Sequence, residues 1–182
     1  MAGSVADYLL RLGAHHDLVS WAQPYAGDFE RAWRECPRGD WLLGVAVRSG
    51  LSARERMLAA AACARLGLEW LEDPAPAATA LDALERHVRE GDGALREHTD
   101  RLAAVVPRDP ATGAALSAVV LALGSAEDAE LAASVPATVV EAAMYAVGDC
   151  GVMSLLRHTQ SATAEAVRAH VSFANLSCRE SE

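Results

Sequence analysis

The chain has 182 residues, 52% of them hydrophobic, with 16 basic against 25 acidic side chains, which fits a folded domain and excludes a disordered one. All 16 cations are arginine, lysine and isoleucine are absent, and alanine occurs 39 times. Without an ε-amine there is no Walker-type phosphate loop, Schiff base or lysine general base, and a net charge of -9 argues against a nucleic-acid binder, which needs a basic footprint.

Alanine favours helices and disfavours strands, so the composition predicts an all-α fold: a compact array of eight to ten short helices in antiparallel hairpins, forming one domain over residues 1–182. No basic segment followed by an apolar stretch opens the chain, and the apolar runs elsewhere read as too short to span a bilayer, so a cytoplasmic protein without membrane contact is expected. Cys36, Cys63, Cys150 and Cys178 are scattered without metal-knuckle or redox spacing and are expected to be free thiols.

In chain order, Ser4 caps a first helix ending at Gly13, and a short segment with Leu18, Val19 and Trp21 stops before Pro24. Asp28 caps a helix through Trp33 and Cys36 that Pro37 closes. Asp40 reads as the N-cap of WLLGVAVRS, with Gly50 as its stop. That segment is apolar all round, which predicts a helix covered on every side, with Trp41 in the core. Ser52 and Glu55 have capping-box spacing for what reads as the longest helix, striped by Met57, Ala61, Ala64, Leu68 and Leu71.

The Asp-Pro-Ala-Pro run at 73–76 ends that helix and marks a hinge near 73–77. Leu81, Leu84 and Val88 then stripe an amphipathic helix stopped at Gly91, and Leu95, Leu102 and Val105 mark its partner before Pro107. Asp109-Pro110 begins a helix running to Gly124. Ser125 and Asp128 resemble a weaker capping box for a short helix ending near Pro136, followed by helices over 137–147 and roughly 162–176.

The chemistry-bearing residues give no strong motif. His15-His16-Asp17 reads as a cap, since adjacent helical side chains diverge by about 100° and cannot chelate from one face. His98 falls on an apolar stripe, where a hydrogen-bonded core histidine is the simpler reading. His87, His98, His158 and His170 lack Glu-x-x-His or His-Glu-x-x-His spacing, so neither a metal nor another cofactor is expected. Cys36 precedes Arg38, which could lower its pKa, but no histidine pairs with it, and Cys63 reads as an inert packed thiol. Arg65 interrupts an alanine-rich helix. It either pairs with a carboxylate, Asp40 being the candidate, or extends to solvent.

Trp33, Cys36, Pro37, Arg38, Gly39, Asp40, Trp41, Leu42 and Leu43, with Cys63, Ala64, Arg65 and Leu66, resemble the immunity proteins found beside bacterial polymorphic toxins. The likeness continues through 80–86, Gly91 and the AVRAHVSF stretch at 166–173, while 107–148 departs from it. The resemblance implies a non-enzymatic protein that binds and blocks a cognate toxin, and the acidic excess makes a basic toxin the natural partner. The expected partner surface is the acidic face of the hinge and the following helix, at Asp73, Asp82, Glu85, Glu90 and Asp92, with 107–148 as the alternative location. Two other classes stay open: a helical scaffold or regulatory adaptor for another protein, and a histidine-dependent metalloprotein or enzyme.

Overall fold

A computed structural model describes residues 4–91, 95–147 and 152–177. Among them are eleven α-helices: α1 (Val5–Arg11), α2 (His16–Ala22), α3 (Phe29–Glu35), α4 (Gly39–Arg48), α5 (Ala53–Leu66), α6 (Ala75–Glu90), α7 (Leu95–Ala103), α8 (Pro110–Gly124), α9 (Ala129–Val147), α10 (Val152–His170) and α11 (Phe173–Ser177). Two 3-10 turns, Gln23–Tyr25 and Gly67–Trp70, follow α2 and α5, and no strand occurs among the described residues. The fold is all-α, as the composition predicts.

Several helix starts obey their capping residues. The Ser4 hydroxyl accepts from the Asp7 amide while the Asp7 carboxylate accepts from the Ser4 amide, a reciprocal capping box. Asp28 and Asp109 each accept from the amide three residues on, at 3.0 and 2.9 Å, and Ser52 accepts from Glu55 at 3.2 Å. At the other end, Gly91 takes the left-handed conformation that closes α6, with φ of 74°.

α5 and α9 form the centre. α9 packs against α4, α5, α8 and α10, while α5 also meets α6, α8 and α10, and α7 lies against α6 and α8. Buried Ala59, Ala60, Ala61 and Ala64 on α5, with Ala132, Ala142 and Ala143 on α9, remove side-chain bulk where helices meet, and Leu43, Leu81, Leu84, Val119, Val135 and Val139 fill the remaining space. A second cluster of Val5, Leu9, Leu18, Val19, Ala22 and Ala32 lies within α1–α3. Trp21 and Trp41 pack against both clusters and join them.

Several sequence expectations are corrected. α4 begins at Gly39, one residue before Asp40, and its N-cap is Arg38 without a side-chain cap, so Asp40 sits inside the first turn and bonds Arg38 instead. α4 is also not covered on every side: Leu42, Leu43 and Ala46 are buried, whereas Trp41, Val45 and Val47 are half-buried. α5 stops at Leu66, so Leu68 lies in a 3-10 turn and Leu71 just beyond it, and the 14-residue helix is shorter than α9 and α10, with 19 each.

Pro136 does not end a helix. It is buried inside α9, and α9 is thereby long and apolar enough to cross a membrane by length and composition, yet four helices pack on it. Likewise α10 starts at Val152, well before 162, and a separate α11 follows it. Ser125 is the C-cap of α8, not an N-cap; Asp128 alone accepts from an α9 amide, that of Glu130, at 2.9 Å.

Candidate functional site

The structure distributes the expected acidic face differently from a free negative patch. Arg65 projects from the last turn of α5 towards α6, where it donates to Asp82 at 2.6 Å and to Glu85 at 2.7 and 3.0 Å. Asp40 is therefore not its partner, because α5 turns its Arg65 face towards α6 and away from the α4 terminus. A guanidinium between these two carboxylates cancels much of the expected patch, and Glu85 is itself half-buried. Asp73 is exposed and accepts from the Ala75 amide at the start of α6, Glu90 is exposed, and Asp92 lies outside the described residues.

Two concavities lie elsewhere, on opposite sides of Trp41. The first is a polar groove of about 690 Å³ between the α1–α2 turn, α4 and α9. Four carboxylates line it, from Asp17, Asp40, Glu130 and Glu141, against the guanidinium groups of Arg38 and Arg48 and the imidazole of His15. Asp40 is taken by Arg38 in a two-pronged contact at 2.6 and 3.1 Å, and Tyr145 donates to Glu141 at 3.0 Å. Asp17 sits in the first turn of α2, where the His15 imidazole accepts from its amide at 3.3 Å.

The α9 wall of this groove has a sequence signature. Glu130, Ala133, Ser134, Ala137, Thr138 and Glu141 recur at steps of three and four, so they share one helix face. Reading Pro136 as a helix stop splits that stripe in two, which hides it.

The second concavity is an apolar cavity of about 370 Å³ at the seam between the two hydrophobic clusters, walled by α1, α2, α3, α4 and α11. Its rings form three pairs: Tyr8 edge-on to Phe29 at 5.4 Å, Trp21 with Trp41 at 6.0 Å, and Trp33 with Phe173 at 6.5 Å. Arg168 of α10 fixes one wall by donating to the Cys36 and Trp33 carbonyls, at 2.8 and 3.5 Å, which satisfies acceptors at the end of α3.

The thiols do not offer a nucleophile here. Cys36 donates to the Arg38 carbonyl at 3.6 Å, and burial pushes its pKa up to about 11; Arg38 spends its guanidinium on Asp40 and does not activate the thiol. Cys63 donates to the Thr163 carbonyl, and complete burial raises its pKa too. Cys150 and Cys178 lie outside the described residues.

The histidines are not gathered. His87 and His98 are half-buried and His158 and His170 exposed, and among the described residues no three His, Cys, Asp or Glu side chains could hold a metal ion. The Nδ1 atom of His87 is buried with no hydrogen-bond partner among the described residues. The chain matches no protein-family model, no curated protein and no solved structure.

Proposed function

We propose that the chain is a cytoplasmic, non-catalytic protein of the immunity type, which binds a basic cognate toxin through the groove between the α1–α2 turn, α4 and α9. The observation that carries this reading is the acidic balance of that groove: the four carboxylates of Asp17, Asp40, Glu130 and Glu141 face only the two guanidinium groups of Arg38 and Arg48 among its lining residues. Such a concave acidic wall suits arginine or lysine side chains of a partner, and close charge pairs across interfaces couple by about 1.5 to 7 kcal/mol. The groove is built partly from the Arg38–Trp41 segment that resembles immunity proteins and partly from α9, within the stretch that departs from them. A partner surface in a divergent stretch fits recognition of one particular toxin.

The test is neutralisation of a toxin, which this reading requires to be encoded beside the gene for this chain. Glu130 and Glu141 are exposed, so Glu130→Arg with Glu141→Arg should leave thermal stability unchanged, abolish protection of toxin-expressing cells and slow association most at low salt. A matched reversal at Asp73 and Glu90 on α6 should keep protection. The reading fails if the α9 variant protects as well as the unaltered chain.

A further inference from the structure

The seam cavity has a composition that the rest of the molecule does not share. The chain has nine aromatic residues, and six of them line this one space. None of the largest fully buried side chains of the core is aromatic; the core is closed with leucine, valine and alanine. The six rings are instead half-buried: each packs against one or both hydrophobic clusters and leaves part of its surface on this space.

The charge at this cavity is one-sided. Asp28 and Glu30 are its ionisable carboxylates, and among the described residues no arginine, lysine or histidine lines it. Asp28 is held in place as the cap of α3 by the Arg31 amide and keeps its charge, while Glu30, exposed on the first turn of α3, is the carboxylate whose side chain can turn towards a guest. A volume of about 370 Å³ lies within the range of small-molecule sites, about 300 to 1,000 Å³. Ring faces carry negative potential and attract cations, and the acid at the rim adds to that attraction.

We propose that this cavity binds a flat aromatic small molecule that bears a protonated or quaternary amine, with its ring system between the aromatic pairs and its cation towards Glu30. Anionic guests such as fatty acids and phosphorylated compounds are disfavoured by the same charge, since among the described residues the ionisable side chains lining the cavity include two carboxylates and no cation. The site lies across Trp41 from the acidic groove and does not depend on a toxin partner.

The test uses the purified full chain and a neutral reporter, N-phenylnaphthylamine, whose fluorescence rises in apolar surroundings and accepts energy from the wall tryptophans. Saturable binding is expected, with displacement by naphthylmethyl-trimethylammonium at least about tenfold more effective than by naphthaleneacetate. Glu30→Gln should shrink that preference several-fold while leaving the affinity for the neutral reporter unchanged. Ala32→Phe, which fills the cavity from α3, should abolish binding where circular dichroism shows a folded chain; should it not fold, the Glu30→Gln comparison decides alone. Absence of saturable binding, equal displacement by cation and anion, or binding retained in folded Ala32→Phe would each overturn the proposal.

Discussion

The guanidinium of Arg38 lies over the indole of Trp41, 4.3 Å from the ring centroid, while the same guanidinium grips Asp40 with both prongs. Three residues of one short stretch thus form a stack in which the carboxylate orients the arginine and the arginine covers the ring. Arginine's planar fork makes this double use feasible, since its edge donates hydrogen bonds and its face stacks. The other side of Trp41 borders the aromatic cavity, next to Trp21. Trp41 is therefore a partition between a polar groove and an apolar one, and its half-buried state follows from that position.

Truncating the partition should destabilise the fold and open one concavity into the other. Trp41→Ala is expected to cost about 2 to 3 kcal/mol, below the about 3 to 5 kcal/mol of a fully buried tryptophan because one part of the ring already faces open space. Arg38→Lys should cost about 1 kcal/mol, since an ammonium cannot grip Asp40 with two prongs and cover the indole at once. Urea unfolding followed by far-ultraviolet circular dichroism measures both, and equal stability of Trp41→Ala and the unaltered chain would refute the partition.

Arg65 supplies a second test, by double-mutant cycle. Glu85 is half-buried and takes two donor contacts from Arg65, whereas Asp82 is more exposed. Arg65 should accordingly couple to Glu85 by about 1 kcal/mol and to Asp82 by only a few tenths. Coupling between Arg65 and Asp40, the partner that chain proximity suggests, should be zero within error. Removing Arg65 alone also strips its aliphatic stem from between α5 and α6, so the single variant is expected to lose more than either pair energy.

What the sequence discloses follows the range of the interaction responsible. Ser4, Asp28, Ser52, Asp109-Pro110 and Gly91 act within three or four residues, and each begins or ends a helix where its own chemistry requires. Pro136 misleads for the opposite reason. A proline inside a helix costs roughly 3 kcal/mol locally, but burial of α9 against four neighbours outweighs that cost. The aromatic cavity is equally hidden from local pattern, because Tyr8 and Phe173 stand at opposite ends of the chain and meet one space only after α11 folds back onto α3 and α4. The partner of Arg65 is a choice among several nearby carboxylates that only the crossing of α5 and α6 resolves.

Acid should loosen the junction between α5 and α11. Glu55 takes hydrogen bonds from the Ser52 hydroxyl and from the Asn175 amide, and the first of these holds its carboxyl below the usual range. A depressed folded-state pKa gives stability that is present above the unfolded value, about 4.3, and lost as pH falls through the folded value. Between those two values the unfolded chain binds the extra proton, so stability rises with pH. Asp7 and Asp109, held low by the Ser4 hydroxyl and the Thr112 amide respectively, contribute in the same sense. Melting temperatures should therefore fall modestly as pH drops below about 4.3, and Glu55→Gln should flatten the fall while lowering stability at neutral pH.

A close approach of α4 to α10 predicts that Gly39 cannot be replaced. A Cβ built on Gly39 would stand 2.6 Å from the Thr163 carbonyl carbon and hydroxyl oxygen, so α4 and α10 touch through the absence of a side chain. Because one of the opposing atoms is backbone, rotation of Thr163 cannot relieve the clash, and trimming Thr163 to alanine cannot either. Gly39→Ala should cost about 2 to 3 kcal/mol as α10 is pushed away from α4. Gly124 is the control: a Cβ there meets only the Leu131 methyl at 2.7 Å, at the free end of a side chain that can turn aside. Gly124→Ala gains the better helix propensity of alanine, up to about 1 kcal/mol, against the cost of moving that methyl, and should fall near neutral. Denaturant midpoints of the two variants, with Gly39→Ala measured also in a Thr163→Ala background, decide the matter. Rescue by Thr163→Ala would show that the contact is made by the threonine side chain and not by the α10 backbone.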